Sequence, residues 1–168
     1  IIQTLQFTAC SGTDCGNGSV KIFRKKIKAR KLREEKTMKY ITFAIPCYNS
    51  EAYMEKAINS ILVGGEDVEI IVVNDGSKDG TQQIAEKYEK QYPTIVRAVK
   101  KENGGHGDAV NCGLAHATGI YFKVVDSDDW VDEQSLMKIL EAVKGFAEAG
   151  SQVDMIISNY VYEKEGEK

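Results

Sequence analysis

Short runs of β-branched and aromatic residues recur along the chain from Tyr40 onward, and apolar residues at helical spacing lie between them. The runs predict five strands, at residues 40–45, 68–73, 95–99, 121–125 and 153–157. The intervening segments predict helices near residues 54–62, 84–92, 108–118 and 136–143, the second ending at Pro93 and the third at Gly119. This alternation predicts an α/β fold with a mostly parallel sheet between helices, in which ligands bind beyond the carboxyl ends of the strands.

Each of the first four predicted strands is followed by a polar or glycine-rich loop. The loops are PCYNSE (46–51), NDGSKDGT (74–81), ENGGHGDAVN (102–111) and DSDDW (126–130). Asn, Asp, Ser and Gly are common in turns and at helix starts for backbone reasons alone. We therefore interpret Ser50, Asp79 and Asp132 as helix caps. The candidate ligand-binding residues are polar residues that capping does not explain.

The loop after the fourth strand carries three carboxylates, Asp126, Asp128 and Asp129, within four residues. Carboxylates this close repel one another, and a helix cap needs only one of them. A hard divalent cation such as Mn²⁺ or Mg²⁺ prefers oxygen ligands and commonly joins one or two carboxylates to substrate phosphates. In an extended segment Asp126 and Asp128 point to the same side, so they are the candidate metal ligands. An acidic surface turn is the alternative.

Two further loops offer ligand contacts. A carboxylate at the end of the second strand, Asp75, can accept a hydrogen bond from a nucleobase N–H or a ribose hydroxyl, although an Asp-Gly turn is the plain alternative. The glycines at 104, 105 and 107 precede a predicted helix, where free N–H groups favour an anion such as phosphate. His106 lies among them and could contact a phosphate or a sugar, or simply be exposed to solvent.

Charge divides the chain near Met38. The whole chain has 22 Lys or Arg and 25 Asp or Glu. Residues 1–37 contain nine of the bases and three of the acids, so residues 38–168 contain 13 bases and 22 acids. We therefore predict two parts, a basic extension at 1–37 that is disordered or not native, and a domain at 38–168. Arg, Glu and Lys, which occupy residues 33–36 before Met38, all have purine-only codons, and our hypothesis is that this run is a translated bacterial ribosome-binding site. The alternatives are a basic helix that contacts anionic lipid, and nucleic-acid binding by residues 21–36, which salt would weaken.

Composition restricts the class of protein. With 168 residues, 42% of them hydrophobic and 28% charged, the chain suits one globular domain with a core. It has no apolar run of about 20 residues and no signal-peptide pattern, so we expect a cytoplasmic protein, with membrane contact limited to its periphery. The four cysteines lack the paired spacing of a zinc site, and we interpret them as buried or idle thiols.

Four motifs in order and spacing carry a resemblance to a known family. They are IPCYNSEAYMEKAINSIL, VEIIVVNDGSKDGT, ENGGHGDAVNCGLAHATG and YFKVVDSDDWVD. Together, over residues 38–160, they resemble the family 2 glycosyltransferases, which have the GT-A fold, a Rossmann-like three-layer sandwich around a mostly parallel sheet. The resemblance implies inverting transfer of a sugar, a hexose as a rule, from a nucleoside diphosphate donor. A UDP-sugar is the expected donor and Mn²⁺ or Mg²⁺ the expected cofactor. The expected acceptor is a glycan or a lipid-linked molecule in bacterial cell-wall or capsule synthesis, and we expect no nucleic-acid partner.

The resemblance also assigns residue roles. Asp128 is the expected direct metal ligand within an Asp-x-Asp motif, and Asp126 contacts the ribose or the metal. Asp75 is the expected contact to the base. The expected nucleotide-sugar-binding residues are Pro46, Tyr48, Asn49, Glu51, Asp75, Gly105, His106, Asp126 and Ser127. Val110 departs from the family pattern, which has Arg there, and His106 is our candidate for taking over its contact to the donor.

Family members place the acceptor site and a catalytic base after the fifth strand. We therefore expect the base beyond Lys168, so that this chain is the donor-binding half with the C-terminal acceptor part missing. Two rival functions remain open. A nucleotidyltransferase would need a Gly-rich, Arg- or Lys-containing phosphate loop after the first strand, and PCYNSE is neither. A noncatalytic nucleotide-sugar-binding module is the rival from another class.

Overall fold

The structure is a computed structural model and describes residues 2–3, 20–24 and 38–161. The strands are β1 (Ile2–Gln3), β2 (Val20–Arg24), β3 (Ile41–Cys47), β4 (Val68–Asp75), β5 (Val96–Lys101), β6 (Tyr121–Val124), β7 (Trp130–Val131) and β8 (Met155–Ser158). The helices are α1 (Met54–Leu62), α2 (Thr81–Gln91), α3 (His106–His116) and α4 (Glu133–Glu148), with a 3₁₀ turn at Gly65–Asp67. No helix within these ranges has both the length and the apolar composition needed to cross a bilayer.

Six strands form the central sheet in the order β5-β4-β3-β6-β2-β8. Strands β5, β4, β3 and β6 are mutually parallel, whereas β2 is antiparallel to both of its neighbours. Strand β1 pairs with β7 in a separate two-stranded sheet. The predicted α/β fold with a mostly parallel sheet is confirmed, and the parallel strands bring the loops after β3, β4, β5 and β6 to one edge.

Both faces of the sheet are covered, which explains why β3 and β4 are buried along their whole length. Alternate side chains such as Phe43 and Val72 belong to a core shared with α1, α2 and α4. The intervening side chains, such as Ala44 and Val73, pack in a second core with α3. Helix α3 lies especially close to the sheet, because a Cβ on Gly113 would stand 2.7 Å from the Cβ of Ala44.

The five strands predicted from the sequence all form, with bounds shifted by at most two residues. The predicted end of the third helix at Gly119 is wrong, because α3 ends at His116 and Gly119 does not adopt the left-handed conformation of a helix-terminating glycine. Gly119 instead permits a close approach of two backbones. A Cβ there would lie 2.7 Å from the amide nitrogen of Thr42, and the Gly119 N–H donates to the Thr42 hydroxyl.

The central sheet includes five residues of the segment that charge and composition set apart. Strand β2 lies between β6 and β8 and hydrogen-bonds to both. Apart from residues 2–3 and 20–24, the segment 1–37 lies outside the described residues. The basic run at 21–36, considered as a lipid-contacting helix, begins within β2, and its residues 25–36 lie outside the described residues. The division of the chain at residue 38 stays a prediction.

Candidate functional site

A cleft of about 260 Å³ opens at the carboxyl edge of the parallel strands. Its walls come from the end of β3, the end of β4, and the loop and first turn of α3. Eight residues line it: Pro46, Cys47, Tyr48, Asp75, Asn103, Gly105, His106 and Ala109. Five of the predicted site residues, Pro46, Tyr48, Asp75, Gly105 and His106, therefore face one cavity, although they come from three separate stretches of sequence.

A larger hollow of about 390 Å³ lies at the opposite edge of the sheet, beside the start of β5. Three of its charged groups are engaged: Lys39 pairs with Glu66 at 2.9 Å, Glu69 accepts hydrogen bonds from the Thr42 hydroxyl and the Thr118 N–H, and Glu89 accepts from the Ala98 N–H. We place the functional site at the carboxyl edge, because ligands of open α/β sheets bind there and the candidate polar residues lie there.

Asp75 is buried at the end of β4, with 3% of its surface exposed. Its Oδ1 accepts hydrogen bonds from the Lys101 ammonium at 2.5 Å and the Gly104 N–H at 2.9 Å, and its Oδ2 accepts from the Gly105 N–H at 2.8 Å. Burial raises the pKa of the Asp75 carboxyl, but these bonds outweigh it and the net pKa is lowered. Asp75 is therefore an ionised acceptor at neutral pH.

This arrangement changes how the glycine loop is interpreted. The N–H groups of Gly104 and Gly105, which the sequence suggested for a phosphate, already donate to Asp75. Gly105 has a φ of 86°, a conformation that suits glycine, and lines the cleft immediately before α3. The loop thus shapes the cavity wall, and the geometry does not support a phosphate on these two N–H groups.

The predicted residues Asn49 and Glu51 hold the loop after β3 against the loop after β4. Asn49 adopts a φ of 51°, donates its N–H to the Ser77 hydroxyl, and accepts at Oδ1 from the Lys78 N–H at 2.9 Å. The Glu51 carboxylate accepts from the Gly80 N–H. These contacts occupy polar atoms that a ligand would otherwise use, and they fix the two loops relative to each other.

Ser127 turns inward from the acidic loop. It is buried, and its hydroxyl lies 2.9 Å from that of Ser50. Ser50 also accepts at its hydroxyl from the Tyr48 N–H and donates its own N–H to the Thr81 hydroxyl. Through Ser50, the acidic loop is joined to the loop carrying Tyr48 and to the start of α2.

The capping predictions have different outcomes. Asp132 is confirmed as the cap of α4, because its carboxylate accepts from the Ser135 N–H at 2.8 Å. Asp79 accepts from both the N–H and the hydroxyl of Thr81, the first residue of α2, although the capping position itself is the next residue, Gly80. For Ser50 the prediction is wrong, because α1 begins four residues later without any side-chain cap and the Ser50 hydroxyl bridges loops instead.

Asp126 and Asp128 are exposed at the carboxyl edge and Asp129 is half-buried behind them. Partial burial raises the pKa of Asp126, the negative charges of Asp129 and Asp128 raise it further, and His106 acts in the opposite direction. The His106 Nε2 lies 3.7 Å from the Asp126 Oδ1, so the acidic loop and the α3 loop meet at this point.

The carboxylates of this loop fit a divalent cation, because its charge would relieve their mutual repulsion. Within the described ranges, no group of three or more His, Cys, Asp or Glu side chains is arranged to hold a metal ion by itself. Asp126 and Asp128 supply oxygen ligands that suit Mn²⁺ or Mg²⁺, ions that commonly take their remaining ligands from substrate phosphates and water.

Two lysines near the site were not predicted from the sequence. Lys101 is the last residue of β5 and pairs with Asp75, as described above. Lys123 lies within β6, is only 2% exposed, and its ammonium has no hydrogen-bond partner among the described residues. Burial lowers the Lys123 pKa to about 8, although Asp129 and Asp126 act to raise it. The alternation of side chains along β6 could have predicted that Lys123 is buried, because it puts position 123 on the same face of the strand as Tyr121 and Val125.

The fold and the cleft define the class: an open, mostly parallel α/β protein with a polar site beyond the carboxyl ends of its strands. The model of the family Glycosyl transferase family 2 matches residues 42–164, and the chain belongs to this family. Among curated relatives, the minor teichoic acid biosynthesis protein GgaB of Bacillus subtilis is 36% identical over 126 residues. The match covers 73% of this chain and 14% of that protein.

Solved structures agree on the fold. TarS of S. aureus (residues 1–349) superposes with a TM-score of 0.57 and 30% identity, covering 64% of this chain and 33% of that one. The mannosyltransferase PcManGT of Pyrobaculum calidifontis superposes with a TM-score of 0.54 at 20% identity, covering 79% and 48%. The GT-A fold is therefore confirmed, and the chain spans less than half of each of these proteins.

Proposed function

We propose that this chain is the donor-binding part of an inverting glycosyltransferase, which transfers a sugar from a metal-bound UDP-sugar to a glycan or lipid-linked acceptor in cell-surface polysaccharide synthesis. The observation that carries the proposal is the single cleft in which Tyr48, Asp75 and His106 meet beside the acidic loop. The teichoic acid relative and the TarS structure solved in complex with UDP-GlcNAc support the donor and the pathway class.

The cleft offers distinct contacts to a nucleotide. Tyr48 is 51% exposed at its rim, so its ring is available to pack against a base or ribose. Asp75 accepts one protein hydrogen bond at Oδ2, and a carboxylate oxygen can accept a second, here from the N–H of a base. Pro46 supplies apolar wall, and His106 lies where the nucleotide side of the cleft meets the acidic loop.

We assign the diphosphate end of the donor to the acidic loop. Asp126 and Asp128 would hold Mn²⁺ or Mg²⁺, which when bound offsets the charge that develops on the leaving diphosphate. Ser127 anchors the loop through Ser50, so that the neighbouring carboxylates point outward. Asp129 closes the turn by donating its N–H to the Asp126 carbonyl at 3.0 Å.

Inverting transfer needs a base within hydrogen-bond reach of the acceptor hydroxyl. Asp75 is the one carboxylate among the residues lining the cleft, and it is already engaged by Lys101, Gly104 and Gly105. We therefore assign the base to a residue outside the cleft, and expect the 168-residue chain to bind donor with weak or absent transfer. Robust transfer by the purified chain would contradict this assignment.

The donor site is tested by thermal unfolding of the chain with UDP, GDP, CDP and ADP, each with and without Mn²⁺. A ligand at 100 times its dissociation constant should add about 2.7 kcal/mol to the free energy of unfolding. We expect UDP with Mn²⁺ to stabilise most, and Asp128→Ala to abolish the metal-dependent part. Asp154→Ala, at an exposed carboxylate elsewhere, is the matched control. Unchanged metal dependence in Asp128→Ala would exclude that residue as the ligand.

The rival functions predict other results. A noncatalytic nucleotide-sugar-binding module would bind UDP-sugars in the same assay, but a longer protein containing the remainder of the domain would neither transfer nor hydrolyse the sugar. A nucleotidyltransferase would instead release pyrophosphate from a nucleoside triphosphate and a sugar phosphate. Acceptor, hydrolysis and pyrophosphate assays on the longer protein separate these possibilities.

A further inference from the structure

Lys101 ends β5 and places its ammonium between two carboxylates. It lies 2.5 Å from Asp75 Oδ1 and 2.7 Å from Asp108 Oδ2, and it also donates to the carbonyl of Glu102. The Lys101 side chain is 18% exposed; of its two partners, the Asp75 side chain is 4% exposed and the Asp108 side chain is 55% exposed. The pair with the buried Asp75 is therefore less screened by solvent than an exposed surface pair, whereas the pair with Asp108 is open to solvent.

These contacts join three elements around the cleft. Asp75 belongs to the end of β4, Lys101 to the end of β5, and Asp108 to the first turn of α3. The loop between β5 and α3 folds over the ion pairs, because Gly104 donates to Asp75 and a Cβ at Gly104 would collide with the Asp108 carboxylate and stand 2.9 Å from the Lys101 ammonium. Gly105 and Asn103 of the same loop line the cleft.

We propose that Lys101 is a positioning residue for donor binding, which holds the Asp75 carboxylate and the loop at 102–105 in the arrangement that shapes the cleft. This inference rests on the proposed function. Lys101 itself does not line the cleft, so it acts on a bound nucleotide through Asp75 and the loop. Without it, Asp75 would keep two backbone donors but lose its only cationic partner among the described residues.

Loss of Lys101 should also change how binding depends on pH. Burial is the largest influence on the Asp75 pKa and raises it, and the hydrogen bond from Lys101 is the largest influence that lowers it. Removing Lys101 therefore moves protonation of Asp75 to higher pH, and the protonated form loses acceptor capacity. The other titratable groups near Asp75, around the cleft and in the first turn of α3, are Cys47, Tyr48, His106 and Asp108. All four are present in both proteins. Asp108 also loses its Lys101 partner in the variant, but it does not line the cleft, so the difference between the two pH profiles at the nucleotide reports chiefly on Asp75.

The test is calorimetric titration of the 168-residue chain with UDP and Mn²⁺ from pH 5.5 to 8. We expect Lys101→Met to weaken UDP binding on the order of tenfold at pH 7.5, the lower end of what the loss of a residue that orients a metal ligand costs, and to weaken it further as the pH falls. Lys101→Arg keeps the bridging charge and should recover most of the affinity. Lys100→Met, at the exposed neighbouring position, should match the original chain.

Each outcome decides a separate point. If the original chain binds no nucleoside diphosphate, the proposed function fails. If it binds UDP and Lys101→Met binds equally well with the same pH profile, the role of Lys101 is refuted. If Lys101→Arg binds UDP as weakly as Lys101→Met does, the proposal that the bridging charge positions Asp75 is also overturned. If Lys101→Met does not fold, Asp108→Asn releases the tether to α3 while keeping the pair with Asp75, and its affinity should fall severalfold. Unchanged affinity there would overturn the proposal.

Discussion

The buried ammonium of Lys123 should cost the folded chain stability that a neutral side chain would restore. Burial lowers its pKa from 10.5 to about 8. Each unit corresponds to about 1.36 kcal/mol, so the charged form is destabilised by about 3 kcal/mol in the folded state. Because the folded pKa is the lower one, this full penalty applies below pH 8. Stability then rises with pH between 8 and 10.5 as the unfolded state binds the extra proton.

Lys123→Met replaces the ammonium with an unbranched apolar side chain that suits a buried position. We expect the free energy of unfolding at pH 7 to increase by about 3 kcal/mol, and the gain to shrink below about 1 kcal/mol at pH 10. Urea unfolding followed by far-ultraviolet circular dichroism at both pH values measures this difference.

Lys100→Met, at an exposed position of β5, controls for the loss of one positive charge and should change stability little at either pH. A Lys123→Met chain no more stable than the original at pH 7, or stabilised equally at pH 7 and pH 10, would refute the reasoning. The first result would mean that the ammonium is compensated, and the second that packing rather than charge determines the effect.

Two further predictions concern packing and thiol reactivity. Gly113→Ala should reduce the free energy of unfolding by about 1–3 kcal/mol in urea titrations, because the new methyl would overlap Ala44. Gly145→Ala in α4, where nothing lies within 4 Å of the added Cβ, should be neutral or stabilise by up to about 1 kcal/mol; equal effects at both sites would contradict the packing argument. Cys47 is buried and burial raises its pKa to about 12, so iodoacetamide at pH 7.5 should modify Cys112 well before it in the native chain. Peptide mapping by mass spectrometry measures both rates, and comparable rates would show that the Cys47 site opens readily.

The elements that sequence patterns predicted well are those whose pattern reflects burial. Strand β4 was predicted because its apolar run is covered on both faces, and α1 because its apolar residues repeat along one side. Three strands were missed: the two-residue strands β1 and β7, and strand β2. Strands β1 and β7 are two residues long and are defined by pairing with each other, and β2 is defined by its pairing with β6 and β8.

Among the site residues, Tyr48 and Asp75 were predicted to approach one ligand, and parallel topology explains why this was possible. The carboxyl ends of neighbouring parallel strands necessarily share one edge, so loops after those strands converge whatever their sequence separation. The same topology does not say which polar atoms stay available. Asn49 and Glu51 carry suitable groups, yet their polar atoms bond to the loop after β4.

The sequence by itself determined the α/β class, the family, and the edge of the sheet where the candidate site lies, because these follow from local periodicity and from the order of motifs. Only the tertiary structure decided what each polar side chain contacts. Ser127 meets Ser50 across 77 positions of sequence, and Asp75 meets Lys101 across 26. Such partners are set by the distance between packed segments in space, and spacing along the chain carries no record of it.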